Sequence, residues 1–448
     1  MIQLGHIDLW VMGRASQADV TGLLAWYLGT QVAVVGDDEQ VSPMAVGQTI
    51  EATETLIQEY LHAIPNAHLY DGKTSIYDLA KQCFGGSIGL REHFRCVPDI
   101  IEFSNNLSYG GQIRPLRDPS TALTPHLVEY VVPIDAGAVR SGKENLVEAR
   151  FIAALVSASI EQEEYAGKTL GAITLLGDEQ ARLIQEITVS LVGAVELDRR
   201  HFIAGNSAQY QGDERDVIWL SMVDAPTGGP LRLVDSQPMK QRFNVAASRA
   251  RDQLWLVHSL DPNHDLKDGD LRRRLISHFR DPFAVRRLCQ RELARAESPF
   301  EKEIIQALVS FGYRLQAQVE VGHYRIDIVV TDGRLQVAVE CDGDRFHPLE
   351  KIPEDMARQA VLERAGWRFI RIRGTRFYGN RLDTLRWVRS ELSRLNVEPA
   401  GPEVSSVSAQ AKGHVSEIIK RIDRRAWEIL RERGWMASQT PSGQSPAK

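Results

Sequence analysis

Over the first 260 or so residues, short apolar runs alternate with amphipathic stretches. Ile7–Met12 (IDLWVM), Gln31–Val35 (QVAVV), Thr169–Leu176 (TLGAITLL), Val217–Val223 and Gln253–Val257 have the length and composition of buried strands. Between them, Asp19–Leu28, most of Gln48–Gln82, Glu144–Glu161, Asp178–Leu191 and Asn244–Arg251 carry helical periodicity. In Glu144–Glu161 the apolar positions are Leu146, Ala149, Ile152, Ala153 and Leu155. Strand and helix in alternation predict a parallel sheet. Gly110 to Gly142, rich in Gly, Pro and short strands, reads as a variable insertion.

The pattern changes after residue 298. Arg325–Val330 (RIDIVV) and Gln336–Glu340 (QVAVE) are rich in β-branched residues, and Thr331-Asp332-Gly333 between them supplies turn chemistry, so a hairpin is expected. Val397–His414 has linker composition. Val415–Gly434 is a charged helix with an apolar stripe of Ile418, Ile422, Ala426 and Ile429, read first as a packing helix. The final residues, ASQTPSGQSPAK, have the composition of a disordered tail.

At 448 residues the chain is too long for one core, and two or three domains are expected. A net charge of −6 gives no global signal for a polyanionic partner, so any nucleic-acid surface must be local. Arg272–Arg295 is the basic candidate, with a solvated helical linker as the plainer alternative. Cys83, Cys96, Cys289 and Cys341 have no paired spacing, which points to neither a zinc site nor a disulfide framework. The first ten residues lack signal-peptide features and no apolar run reaches membrane-spanning length, so a cytoplasmic protein with no membrane partner is expected.

The hairpin carries the candidate chemistry. Asp327 lies on one strand and Glu340 at the end of the other, where adjacent strands place such side chains close together. Paired carboxylates repel unless a cation intervenes, and hard divalent ions prefer oxygen ligands. Asp342 follows Glu340 at i+2 and points the same way by strand alternation. His347 is a few residues on, a candidate general base or ligand.

These residues resemble the PD-(D/E)xK restriction-endonuclease superfamily, and within it the very-short-patch-repair-like branch, over about Ser298 to Leu392. The likeness starts at SPFEKEI with Glu301 and runs through RIDIVV, VECDG and His347. It continues in EDMARQAVLERAGWRFIRI, where Asp355, Arg358, Leu362, Gly366 and Trp367 fall at the family spacing. Asp342 stands where the wider superfamily has lysine, and RIRGTRF departs from the usual aromatic after the last strand. The resemblance implies a restriction-endonuclease-like α/β domain holding Mg²⁺ or Mn²⁺ on Asp327 and Glu340. It implies Asp342, His347 and Glu301 as further catalytic residues and DNA as substrate, with RNA the alternative.

Four blocks of the first half, in order, resemble motifs III to VI of a superfamily 1 helicase: GDDEQVSP, LREHFRCVPDIIEFSN, YQGDERDVIWLS and RFNVAASRAR. The resemblance implies a RecA-like parallel-sheet motor domain with an incomplete first RecA domain. Asp37 lies at a strand's carboxyl end, where open α/β sheets collect ligands. By matched position Gln40, Arg95 and Arg249 would face an ATP γ-phosphate, and Gln211, Gly212 and Glu214 would couple nucleotide to nucleic acid. No G-x-x-x-x-G-K-[ST] loop occurs, and Gly13-Arg14-Ala15-Ser16 stands where motif II would read Asp-Glu-Ala-Ser. As it stands the chain is not expected to hydrolyse ATP; ATP enters only if a partner chain completes the first motor domain.

The expected layout is 1–45, a remnant of the first RecA-like domain; 46–262, the second; 263–297, a basic helical linker; 298–395, the endonuclease; and 396–448, linker, helix and tail. The leading expectation is a metal-dependent DNA endonuclease on a helicase-type motor half, acting in repair or defence against foreign DNA. The alternatives are a helicase subunit that needs a partner for ATP hydrolysis and a non-enzymatic nucleic-acid-binding remnant.

Overall fold

The computed structural model describes residues 7–12, 29–41, 50–71, 74–84, 88–321, 324–331, 335–342, 363, 367–399 and 417–436. Asp19–Leu28, His347 and the residues expected to hold motif II lie outside these. Strands β1 (Ile7–Met12) and β2 (Gly29–Val34) pair in parallel, with Leu9 opposite Gln31 and Val11 opposite Ala33. Helices α1 (Ile50–Tyr60) and α2 (Ile76–Phe84) follow. At the start of α2 the Ser75 hydroxyl accepts from the Asp78 N–H, and the Asp78 carboxylate accepts from Ser75, a reciprocal cap.

Next come β3 (Glu92–His93), α3 (Pro98–Ser108), β4 (Arg114–Pro115), β5 (Leu127–Val131) and α4 (Leu146–Ile160). They are followed by β6 (Leu170–Thr174), α5 (Glu179–Val192), α6 (Ala194–Arg199), β7 (Ile203–Asn206), β8 (Arg215–Ser221), α7 (Gln237–Ala247) and β9 (Ala250–His258). Five of the strands form one parallel sheet in the order β5-β9-β8-β6-β7. Strand alternation gives the sheet two apolar faces. Leu170, Trp219, Trp255 and Val257 face α4, whereas Ile218, Leu220, Leu254 and Leu256 face α3 and α7.

Two expectations are corrected here. Gly110–Gly142 is no insertion, because β5 within it pairs with β9 through the whole of its length. The helix read over Asn244–Arg251 is displaced: α7 begins after Ser236, whose side chain makes no capping bond, has Pro238 in its first turn and ends at Ala247, and the chain is already in β9 at Ala250.

The basic stretch also differs from a solvated linker. Helix α8 (Leu271–Arg280) buries Leu271, Leu275, Ile276 and Phe279 in the second of those faces. Helix α9 (Ala284–Leu293) packs Val285, Leu288, Cys289 and Leu293 onto the next module instead. Most of its cations are already paired: Arg272 with Asp224 and Asp270, Arg280 with Glu129, Arg287 with Asp281, and Arg291 and Arg295 with Glu292.

That next module begins with α10 (Pro299–Ser310) and a four-stranded sheet of β10 (Arg314–Val321), β11 (Tyr324–Thr331), β12 (Gln336–Asp342) and β13 (Arg368–Arg373), in that order. The first two pairings are antiparallel and the last is parallel. Helices α11 (Gly374–Gly379) and α12 (Arg381–Arg394) close it, and Ile304, Leu308, Ile328, Val339, Ile372 and Val388 form its core. Finally α13 (Glu417–Glu432) returns to lie on α4, burying Ile418, Ile422, Ala426 and Ile429 there. This explains why α4 is apolar nearly all round: the sheet covers one side and α13 the other. Phe151 and Trp427 meet edge to face at 5.4 Å, and the Tyr130 hydroxyl donates to Asp423 at 2.9 Å. Each fully buried aliphatic of the stripe contributes roughly 1.5–3 kcal/mol. Among the described residues no helix is long and apolar enough to cross a membrane.

Candidate functional site

Ile328 pairs with Val339, so one further step of that register sets Asp327 opposite Glu340. Glu340 and Asp342 share one face of β12, since Val337, Val339 and Cys341 point into the core. Asp327 arrives differently. Ile328 packs into the main core while Ile326 packs on the other face with Val329 and Ala338, so β11 turns over at Asp327. Facing it is Gln318, between the pairs Ala317–Ile328 and Val319–Ile326, with a left-handed φ of 54°. The Asp327 carboxylate accepts the Cys341 N–H at 2.9 Å.

The Cys341 thiol reports how closely the acids gather. Burial raises its pKa well above the ordinary thiol value, and Asp327, Glu301, Glu340 and Asp342 push it further in the same direction. Of these acids Asp327 touches Cys341 directly through its backbone N–H, while Glu340 and Asp342 are its chain neighbours on the opposite face of β12. Glu301 is itself buried and sits in a capping arrangement: its N–H donates to Ser298 Oγ at 3.0 Å, and its carboxylate accepts the Glu297 N–H at 3.0 Å. Gln318 Nε2 donates to the same carboxylate oxygen at 2.7 Å, which links Glu301 to the strand position facing Asp327.

Sequence reasoning missed two members of this group. Gln318 carries no motif signal beyond being polar in mid-strand. Arg371, opposite Glu340 in the parallel register of β12 and β13, donates to Asp342 at 3.4 Å. It brings a guanidinium to Asp342, and the alternation in RFIRIR was the available signal. Among the described residues no three His, Cys, Asp or Glu side chains are grouped so as to hold a metal. The donors present, carboxylate oxygens beside a backbone strand end, nevertheless match the hard-oxygen preference of Mg²⁺ or Mn²⁺.

A second cluster forms at the carboxyl end of β2. Asp37 accepts from Gln40 Nε2 at 2.8 Å and from the Tyr109 hydroxyl at 2.6 Å. Arg249 Nη2 reaches Gln40 Oε1 at 3.5 Å. Asn244 ties this loop down, donating to the Glu39 carbonyl at 2.8 Å and the Tyr109 hydroxyl at 3.0 Å. Arg95 Nε donates to Glu214 at 2.6 Å, with Arg251 within 3.7 Å of the same carboxylate. Burial, and then the nearby charge of Arg95, bring Arg249 down to about 10. Burial followed by Arg95 and Arg249 takes His93 down to about 4, so this imidazole is neutral at pH 7.

The structure thus joins Asp37, Gln40 and Arg249 in one contact chain and sets Arg95 with Glu214 beside it. Arg249 is buried between α7 and β9, not displayed on a helix surface. Gln211 is buried with its Oε1 unpartnered among the described residues, and Gly212 has φ +86°, a conformation that disfavours any side chain. Tyr109 lies beyond the motif-like blocks, and His93 and Asn244 lie within two of them but at positions to which the resemblance assigned no role.

With this geometry in view, comparison with known proteins assigns a class to each module. Residues 73–261 match AAA_12, an AAA domain family, and residues 300–392 match the family REase_MTES_1575. The chain joins a superfamily 1 helicase-like domain to a restriction-endonuclease-like domain, and both belong to the α/β class. Among solved structures, the C-terminal domain of a possible DNA helicase from Lactobacillus plantarum WCFS1 is similar at 14% identity. That match covers 39% of this chain and 89% of the other, with a TM-score of 0.22. No curated protein matches the chain. Both domain classes place its function in nucleic-acid chemistry.

Proposed function

We propose that this chain is a divalent-metal-dependent DNA endonuclease carried on a helicase-type motor half. The observation that carries the reading is the placement of Asp327, bonded to the Cys341 N–H, beside the strand that bears Glu340 and Asp342, in a domain of the restriction-endonuclease-like class. Asp327 and Glu340 would hold Mg²⁺ or Mn²⁺, which when bound lowers the pKa of a water and offsets charge on a scissile phosphate. Asp342 or His347 accepts the proton of the attacking water. Glu301 acts through Gln318, fixing the backbone that presents Asp327. Arg371 balances the acidic face and faces the approaching phosphate. DNA is the substrate and the setting is cytoplasmic, in repair or in defence against foreign DNA.

A second reading is favoured by the neighbouring guanidiniums of Arg95 and Arg249. Two such groups spread across a cleft stabilise charge on a transferring phosphoryl group. On this reading the chain binds ATP through Asp37, Gln40, Arg95 and Arg249. It becomes a helicase subunit once a partner chain supplies the phosphate loop and motif II. The purified chain incubated with plasmid and single-stranded DNA, with Mg²⁺ or Mn²⁺ and no ATP, tests the first reading against the second. Metal-dependent cutting that EDTA stops supports the nuclease; intact DNA from a folded, DNA-binding chain removes it.

A further inference from the structure

We propose that the cleft between the helicase-like and restriction-endonuclease-like domains binds the phosphate backbone of a nucleic acid through Lys240, Arg274 and Arg389. Lys240 lies on α7, Arg274 on α8 and Arg389 on α12, so the three come from both domains. Arg274 and Arg389 meet at the turn after α10, and Lys240 lies within electrostatic range of both. The Arg389 guanidinium lies 4.8 Å over the Phe311 ring. The Arg274 guanidinium would stand only 3.3 Å from a Cβ at Gly312, so the glycine leaves room for it.

These cations differ from the rest of the basic stretch. All three are half-buried, yet among the described residues none forms an ion pair with a carboxylate. Their neighbours Arg272, Arg273, Arg280, Arg287, Arg291 and Arg295 all do. The acidic groups facing the cleft are Asp235 and Glu39 near Lys240 and Glu398 near Tyr313, and they stand beyond ion-pair reach of the three. Partial burial and mutual repulsion depress Lys240 to about 8 and Arg274 to about 10, Arg389 being the largest charge acting on each.

Three like charges held together in a half-closed space are unfavourable without a counter-charge. Guanidinium forks flanked by an ammonium suit phosphate oxygens. Because the three cations come from both domains, a strand held by them would touch both. This inference rests on the nucleic-acid reading of the chain and adds where the backbone runs.

The test is fluorescence anisotropy of a labelled single-stranded oligonucleotide with the full chain in EDTA, across a salt series. The proteins are wild type, the double variant Lys240→Gln/Arg389→Gln, and Arg287→Gln as an ion-paired control. Each lost phosphate contact reduces the slope of log K against log salt by about 0.7 for a single strand. The double variant is therefore expected to lose about 1.4 from the slope and to bind about tenfold or more weakly, with a melting temperature no lower than that of wild type because like-charge repulsion is relieved. A wild-type slope in the folded double variant overturns the inference alone. A wild type that binds no oligonucleotide overturns the inference together with the nucleic-acid reading. Saturable binding of inorganic pyrophosphate in place of the oligonucleotide also overturns it, because the site is then one for a free anion.

Discussion

Glu148 offers a sharp test of the helicase-like domain's interior. It lies wholly buried in the first turn of α4, where Asn145 caps the helix. One carboxylate oxygen accepts from Ser221 Oγ at 2.5 Å and from the Val223 N–H at 2.9 Å, and the other has no partner among the described residues. Burial is the main cause that lifts its pKa from 4.5 to about 8; Asp224 adds to the lift, while the two hydrogen bonds oppose it. The folded chain therefore holds this proton more tightly than the unfolded chain. Stability from this group is complete below the unfolded value and is lost as pH rises through about 8. Over that span the group contributes up to about 5 kcal/mol at 1.36 kcal/mol per pH unit.

Glu148→Gln keeps the accepting oxygen and removes the titration. The variant and wild type are expected to match near pH 5, and the variant to gain steadily until it leads by several kcal/mol at pH 8.5. Urea unfolding followed by tryptophan fluorescence measures this, and Trp219 and Trp255, fully buried and stacked 5.9 Å apart in the adjoining sheet, contribute to the signal. Parallel stability profiles for the two proteins from pH 5 to 8.5 would refute the assignment of a protonated, buried Glu148.

Other consequences can be measured in the same chain. Ile422→Ala empties a fully buried position between α13 and α4 and should cost about 2–4 kcal/mol, read as a lower melting temperature and faster proteolysis of the C-terminal helix. Asn244→Ala removes the bond to the Glu39 carbonyl and the one to Tyr109, which itself holds Asp37, so amide exchange at residues 37–40 should accelerate while β8 and β9 stay protected. Arg95→Ala should weaken binding of a fluorescent ATP analogue about tenfold, the loss expected for one charge-assisted contact, and equal affinities would remove Arg95 from the nucleotide reading.

The strands of the five-stranded sheet were legible as apolar runs because a parallel sheet buries both faces. Its order was not, since parallel neighbours are set by contacts far apart in sequence. Edge strand β5 escaped notice because it follows a Gly- and Pro-rich run and alternates polar Glu129 with apolar neighbours. The fate of the basic stretch was hidden for the same reason: its counter-charges Asp224 and Glu129 lie well upstream in the chain. Asp327, Glu340 and Asp342 were visible in the hairpin pattern. Asp327's crossing from face to face was not, because it depends on the left-handed Gln318 on another strand. Glu301 sits in a Ser-x-x-Glu sequence, of which one half forms: its N–H meets Ser298 Oγ, while its carboxylate takes the Glu297 N–H in place of the Ser298 N–H.

The central claim is that Asp327 and Glu340 cut DNA with a divalent ion, independently of the helicase-like half. The most direct measurement compares DNA cleavage in Mn²⁺ without ATP by wild type, Asp327→Ala/Glu340→Ala and Arg249→Ala, each shown to be folded. The account predicts cutting by wild type and Arg249→Ala, and a loss of at least about a thousandfold in the double variant. Cutting retained in the double variant would contradict it.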